Sequence, residues 1–441
     1  MASLLIRNAT ILTMNDRLEV LEGAVSIVDG RIASVGAEPA TRHDRVVDAG
    51  GDYLLPGFIQ THLHLCQTLF RGSAEGLRLL PWLRTRIWPM EAAHTPASLR
   101  ASARLAAAEL LRGGTTAVLT METVHDTDVV FDAIAGTGLR ATIGKCLMDL
   151  PGDGTPDRLR EGTRAGLDES VALHRRWHGQ AGGRLRAAFA PRFVPSCSPD
   201  LLREVAQRSA QEGILVHTHA SEQQDEIALV RQMTGRRNLE FLADLGLASP
   251  RLCAAHCVWV DADELRLMAE YDVKVLHCPG SNLKLGSGVA PVPAMRAHGL
   301  CVSLGADGAA CNNRLDMFEE MRLAALLQWR QEGPGSLPAS AVLWMATRAG
   351  AKTLGLETEI GSVEPGKRAD LVLVSRGAPH MSPAPDPWGA VVFGASAADV
   401  RMTLVDGQLL VDDFRLTGID TAEVGAVARA EAAALARRAG L

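Results

Sequence analysis

The sequence predicts an α/β fold: a (β/α)8 barrel of the TIM type, with a small β-sandwich assembled from both termini. Three observations predict it. Apolar runs of strand length alternate with amphipathic helical stretches through the middle of the chain. Eight such strand–helix units occur, the number that a parallel barrel needs. Both ends of the chain read instead as short strands, with the Asp-Gly pairs 29–30 and 406–407 marking hairpins.

The elements follow in order. The opening strands are expected at Leu4–Met14, Ala24–Val28, Arg31–Val35 and Arg45–Asp48. Barrel strands are expected at Leu55–His64, Thr115–Met121, Ala141–Met148, Ala187–Phe193, Ile214–His219, Leu252–Val258, Val273–Cys278 and Cys301–Gly305. Helical periodicity lies between them, at Ala97–Leu111, Thr127–Ala135, Pro199–Glu212, Asp225–Thr234, Ala262–Tyr271 and Pro293–His298. Strand character returns at Ala369–Val374, Val391–Gly394, Val400–Val405 and Gln408–Val411, around a Pro-rich loop at Pro379–Pro387. Thr421–Ala439, rich in alanine and arginine, reads as a terminal helix. The expected division is 1–55 with 361–415 for the composite sandwich, 56–360 for the barrel and 416–441 for the helix.

Composition narrows the function. Of 441 residues, 47% are hydrophobic and 22% charged, which excludes disorder as the main state. The formal charge of −6, with no basic cluster, argues against a nucleic-acid partner. The first residues lack the apolar core of an export signal, and no apolar run is long enough to span a membrane. A cytoplasmic protein with no membrane partner is expected. The eight cysteines form no CxxC pair and are expected as reduced thiols in the core.

Histidines and acids gather at the predicted strand ends. His62 and His64 stand two residues apart in a strand, so both imidazoles share a face. His217 and His219 repeat that spacing, and Glu222 follows three residues later. His256 ends another strand, and Asp307 follows the eighth. In a barrel of this type the carboxyl ends of the strands carry the active site. Imidazoles and a carboxylate converging there predict a divalent metal, zinc or iron.

The segments PGFIQTHLHL (56–65) and GSVEPGKRADLVLV (361–374), with the strand-end residues, resemble the amidohydrolase superfamily along nearly the whole chain. The resemblance implies a distorted (β/α)8 barrel with a β-sandwich and a homo-oligomer. It implies His62, His64, His219 and Asp307 as metal ligands. His256 would sit beside the metal-bound water or the substrate, and His217 would be structural. Binuclear members usually carry a bridging lysine on strand four. The segment Ala187–Phe193 has none, and the guanidinium of Arg192 stays protonated, so one metal per subunit is expected.

Glu222 resembles the proton-shuttling glutamate of deaminases that act on adenosine-like, guanine and triazine compounds. Segments 281–292 and 305–313 are similar to deaminases of 5′-deoxyadenosine and of S-adenosylhomocysteine/5′-methylthioadenosine. The metal would lower the pKa of a bound water towards about 7. Glu222 would carry a proton from water to a ring nitrogen, Asp307 would deliver one to departing ammonia, and His256 would orient the water. Glu222, His256 and Asp307 are thus the catalytic candidates. Trp82, Lys145, Arg192, Glu222 and His256 are the candidates for substrate binding, with Trp88, His125 and His277 as further wall residues.

Two positions depart from the nucleoside-binding pattern. Arg192 stands where those members carry histidine and looks like guanine deaminase. Pro81 replaces the carboxylate that holds ribose hydroxyls in those members. The leading expectation is deamination of a small heterocyclic substrate, a 5′-modified adenine nucleoside. Alternatives are a free base such as guanine, or dechlorination or amine removal from an s-triazine. A non-enzymatic interaction protein is the bland reading, which the intact set of strand-end residues disfavours.

Overall fold

The computed structural model describes residues 3–150, 152 and 154–441. The opening strands are β1 (Leu4–Leu12), β2 (Val20–Val28), β3 (Arg31–Gly36), β4 (Arg45–Asp48) and β5 (Tyr53–Pro56). Eight strands follow: β6 (Phe58–Leu63), β7 (Thr115–Met121), β8 (Arg140–Leu147), β9 (Leu185–Pro191), β10 (Val216–Ala220), β11 (Leu252–His256), β12 (Lys274–His277) and β13 (Val302–Leu304). The chain closes with β14 (Leu371–Val374), β15 (Val400–Val405), β16 (Gln408–Asp412), β17 (Arg415–Leu416) and the helix Thr421–Ala439.

Strands β6 to β13 pair side by side in chain order as one parallel sheet. The sheet curls so that β13 returns to β6. Thr61 Oγ1 donates to the Leu304 carbonyl at 3.0 Å, and the Asp307 amide donates to the His62 carbonyl at 3.0 Å. Gly305 permits this approach, because a Cβ there would lie 2.6 Å from the His62 carbonyl oxygen. Ile59, Ala117, Leu119, Ala188, Cys253, Ala255 and Leu276 fill the barrel axis from five strands. Helices cover the outside; Ser198 caps Pro199–Glu212 by accepting from the Leu201 amide at 3.1 Å. All eight cysteines are buried as free thiols, and burial pushes those of Cys146 and Cys253 up to about 12.

The termini build a mixed nine-stranded sheet, ordered β17-β16-β15-β14-β5-β1-β2-β3, with β4 also beside β1. Period-two alternation sets its two faces. Leu371 and Leu373 join Ile6, Ile11, Ile27, Ile32 and Leu54 in the sheet's own core. Val372 and Val374 point the other way, into the core shared with the barrel and its helices.

Two expectations change. The run expected as one strand from Leu55 to His64 is divided at Gly57, with β5 in the terminal sheet and β6 opening the barrel. A Cβ at Gly57 would lie 2.1 Å from Thr116 Cγ2, so glycine is required where the chain passes from one sheet to the other. Val391–Gly394, expected as a strand, is helical and continues from Pro387. Asp386 caps this turn by accepting from the Trp388 and Gly389 amides, and Val391 and Val392 are buried. A short apolar run carries no periodicity that separates the two states. The structure adds helices at Thr163–Trp177, Met317–Glu332 and Ala339–Ala346.

A buried ion network ties the barrel to the terminal sheet. Arg140, at the start of β8, meets both carboxylate oxygens of Asp370 at 2.8 and 3.0 Å, and Asp406 at 2.7 Å. Arg140 and Asp370 are buried, so removing one partner strands a charge away from water. Arg140→Met is expected to destabilise the protein by about 3–5 kcal/mol. Replacing Asp370 with leucine in the same chain should recover part of that loss. Thermal unfolding of the two variants checks this.

Candidate active site

Four strands supply the site from their carboxyl ends. His62 and His64 lie on and just after β6, His219 lies on β10, His256 ends β11, and Asp307 follows β13. Ser221, His256 and Asp307 all adopt left-handed φ, at 53°, 70° and 62°. Non-glycine residues rarely do so, and such strain concentrates at functional sites.

The side chains converge. Asp307 Oδ1 lies 3.3 Å from His62 Nε2 and 3.2 Å from His64 Nε2. His219 Nε2 lies 3.3 Å from His64 Nε2. The donor atoms of His62, His64 and Asp307 fall within 4.8 Å of one another, as do those of His62, His219 and His256.

Hydrogen bonds fix which ring nitrogen faces the cluster. His64 Nδ1 lies 2.7 Å from the Met121 carbonyl, and His219 Nδ1 lies 2.6 Å from the Arg192 carbonyl. A carbonyl only accepts, so each Nδ1 carries the proton and each Nε2 turns a lone pair inward. His62 Nδ1 is held 2.6 Å from His217 Nε2, while His62 Nε2 is buried with no hydrogen bond. Burial pushes His62 down to about 4 and His219 well below its ordinary value, so both are neutral at pH 7. Burial also opposes a charged Asp307, but His62 and His64 outweigh it and hold the carboxyl well below its usual range. Burial disfavours a charged His64 too, yet Asp307 prevails and raises it. The carboxylate thus demands a cation here. Inward lone pairs, an orphaned buried Nε2 and an ionised carboxylate fit a divalent metal.

Glu222 stands across from this cluster. Its Oε2 lies 3.6 Å from His256 Nε2, and its Oε1 accepts from Ser287 Oγ at 3.2 Å. Burial raises its pKa; the Asp307 charge adds to this and His256 opposes it. His256 Nδ1 lies 2.9 Å from Asn282 Oδ1, which orients the ring. Ser281 Oγ donates to Asp307 Oδ2 at 2.7 Å, and the Gly308 amide donates to Oδ1 at 2.7 Å.

His64, His219, Glu222, His256 and Asp307 share one cavity with Gln67, Leu79, Trp82, Leu83, Arg192, Phe193 and Leu285. Its free volume is about 20 Å³. That holds a water but no heterocycle. Arg192 is neutralised in the wall by Glu91, with N–O distances of 2.6 and 3.2 Å. Gln67 Nε2 donates to the same Glu91 at 3.0 Å, leaving Gln67 Oε1 buried without a partner.

Other sequence candidates lie elsewhere. Lys145 does not line this cavity; it is buried, with Nζ 2.7 Å from both oxygens of Glu161. His125 gathers with Glu161 and Glu169. Trp88 and His277 are buried off the cavity. Sequence reasoning assigned no role to Gln67, Glu91, Ser281, Asn282 or Ser287. The last three lie in segment 281–292, which carried the family resemblance; Glu91 bears no local signal at all.

Comparison with known proteins agrees with this architecture. The amidohydrolase family matches residues 53–410. The 5′-deoxyadenosine deaminase of Methanosarcina mazei is 38% identical over 427 residues, covering 96% of each chain. The 5-methylthioadenosine/S-adenosylhomocysteine deaminase of Symbiobacterium thermophilum is 39% identical, covering 99% of this chain and 100% of its own. A crystal structure of an adenosine deaminase from Xanthomonas campestris with bound zinc superposes with a TM-score of 0.91, at 33% identity and 98% coverage of both chains. With its strand-end histidines and aspartate gathered at one barrel mouth, the chain belongs to the amidohydrolase family.

Proposed function

We propose that the protein is a metal-dependent deaminase of 5′-modified adenine nucleosides, of the 5′-deoxyadenosine, 5′-methylthioadenosine or S-adenosylhomocysteine type. One observation carries the chemistry: Glu222, a buried carboxyl of raised pKa, shares a cavity with the His/Asp cluster. The full-length relatives carry the substrate class. His62, His64, His219 and Asp307 would hold one divalent ion, zinc in the first instance, as in the similar zinc-bound structure. When bound, the ion acts as a Lewis acid that lowers the pKa of water.

The chain's own groups complete the reaction. Glu222 takes a proton from the attacking water and passes it to a ring nitrogen. That protonation makes the amino-bearing ring carbon more electrophilic. Asp307 takes the second proton and delivers it to departing ammonia. His256, oriented by Asn282, positions the water. The cavity wall formed by Leu79, Trp82 and Leu83 must shift to admit a purine, and Trp82 then offers a face for stacking. Lys145 has no direct part in this scheme, because Glu161 engages it. Arg192 in the wall favours a second reading, a free base such as guanine; an s-triazine substrate is a third.

Further parts of the proposal are a 1–55/361–415 sheet unit, a 56–360 barrel unit and a 416–441 helix, in a cytoplasmic homo-oligomer. The sheet memberships support the division. No helix among the described residues is long and apolar enough to cross a membrane.

Ammonia release from 5′-deoxyadenosine, 5′-methylthioadenosine, S-adenosylhomocysteine, adenosine, guanine and amino-triazines, with chloride release from chloro-triazines, tests the reading. Turnover should be fastest with the 5′-modified nucleosides; turnover of guanine or triazines alone would overturn it. Glu222→Gln should keep its metal but lose about 10²–10⁴-fold in kcat. The deprotonated Glu222 is the active form and its pKa is raised above 4.5. The acidic limb of kcat/KM against pH should therefore have its midpoint above 4.5, with activity falling as pH drops through it. His219→Ala should lower the bound metal measured by atomic emission, independently of turnover.

A further inference from the structure

A second cavity, of about 280 Å³, opens at the other end of the barrel. Its walls come from strand starts: Arg186 on β9, Thr142 on β8, Leu215 ahead of β10 and Arg251 ahead of β11. Lys352, from the helix Arg348–Thr353, and His178, just after Thr163–Trp177, complete it. The lining therefore carries three permanent cations and a histidine, and no carboxylate.

Neighbouring cations are paired and these are not. Arg140 has Asp370 and Asp406, and Arg368 has Glu359 and Asp406. Among the described residues Arg186 has no ion pair and no side-chain hydrogen bond, although it is half-buried. The acid that acts on it, Glu359, is already held by Arg31 and Arg368. Burial, with Arg140 adding to it, pushes the Arg186 guanidinium below its ordinary value, the mark of an uncompensated charge. Arg251 uses Nε on Ser209 Oγ at 3.1 Å and has no carboxylate partner. Lys352, one of only five lysines in the chain, is exposed at the rim with none either.

Placement adds to this. Arg186 alternates with Leu185, which packs outward against helices, and shares the inward face with Ala188. It occupies a position at the base of the barrel where an apolar plug would be cheaper. Two guanidinium forks and an ammonium around an open pocket of about 280 Å³ suit an oxyanion of the phosphate type, which each fork can grip with two N–H donors.

We propose that the amino-terminal mouth of the barrel binds a phosphate-type anion through Arg186, Arg251 and Lys352, at a site separate from the catalytic cavity. The test is thermal unfolding and calorimetric titration of the metal-loaded protein with orthophosphate, pyrophosphate and ATP, against sodium chloride of equal ionic strength. Metal content is measured after each titration, because phosphates chelate zinc. Pyrophosphate should raise Tm by about 3 °C or more beyond the chloride control. Arg186→Gln and Lys352→Gln should abolish that rise with metal content and turnover unchanged. Lys352 is exposed, so its variant decides the matter if Arg186→Gln does not fold. An ATP response equal to that of pyrophosphate assigns the site to nucleotide phosphates, and a response to the inorganic anions alone assigns it to free phosphate. A rise no larger than chloride gives, or one that persists in both variants, overturns the proposal.

Discussion

The structure depends on one buried negative charge. Asp307 is 4% exposed and remains ionised. No bulk water solvates it, so the protein must surround it with proton donors and a positive charge. Ser281 and the Gly308 amide supply the donors. The imidazoles of His62, His64 and His219 then make the position suitable for a metal. This requires three strands, β6, β10 and β13, to end at the same height, which is what a closed parallel barrel provides. The tight contact of Gly305 with His62 shows the cost in sequence freedom, since closure leaves no room there for a side chain.

The two ends of the barrel solve opposite electrostatic problems. At the carboxyl end, carboxylates and neutral imidazoles create a demand for a cation. At the amino end, arginines are mostly quenched by the terminal sheet, through Asp370 and Asp406. The sheet is thus an electrostatic base plate for the barrel as well as a second hydrophobic layer. Its strand β14 shows both roles within a few residues: Asp370 precedes it, Val372 and Val374 face the barrel core, and Leu371 and Leu373 face its own.

Much of this was legible in the sequence, for definite reasons. Eight separated apolar runs and period-two histidines are local signals, and local signals survive in a one-dimensional reading. Thr127–Ala135 and Pro199–Glu212 are readable to the residue because a glycine follows each, and Ser198 caps the second. The division at Gly57 was hidden, because both sides of it are apolar and extended. The turn at Val391–Gly394 was hidden because four apolar residues have no usable period. Only analogy places Lys145 near the substrate in the sequence; its partner Glu161 lies sixteen positions away in a segment without a pattern. Glu91 is invisible for the same reason, since its meaning comes from its contact with Arg192, 101 positions away in the chain.

The complete burial of the thiols has a further consequence. A thiol reacts as thiolate, and these are both inaccessible and held protonated. Thiol-directed reagents therefore find no reactive cysteine while the protein stays folded. Reagent uptake by cysteine becomes a clock for opening. Cys66 follows the histidine pair, Cys197 lies in the core six positions after β9, and Cys301 immediately precedes β13. The order in which they are modified would trace which wall of the barrel breathes first.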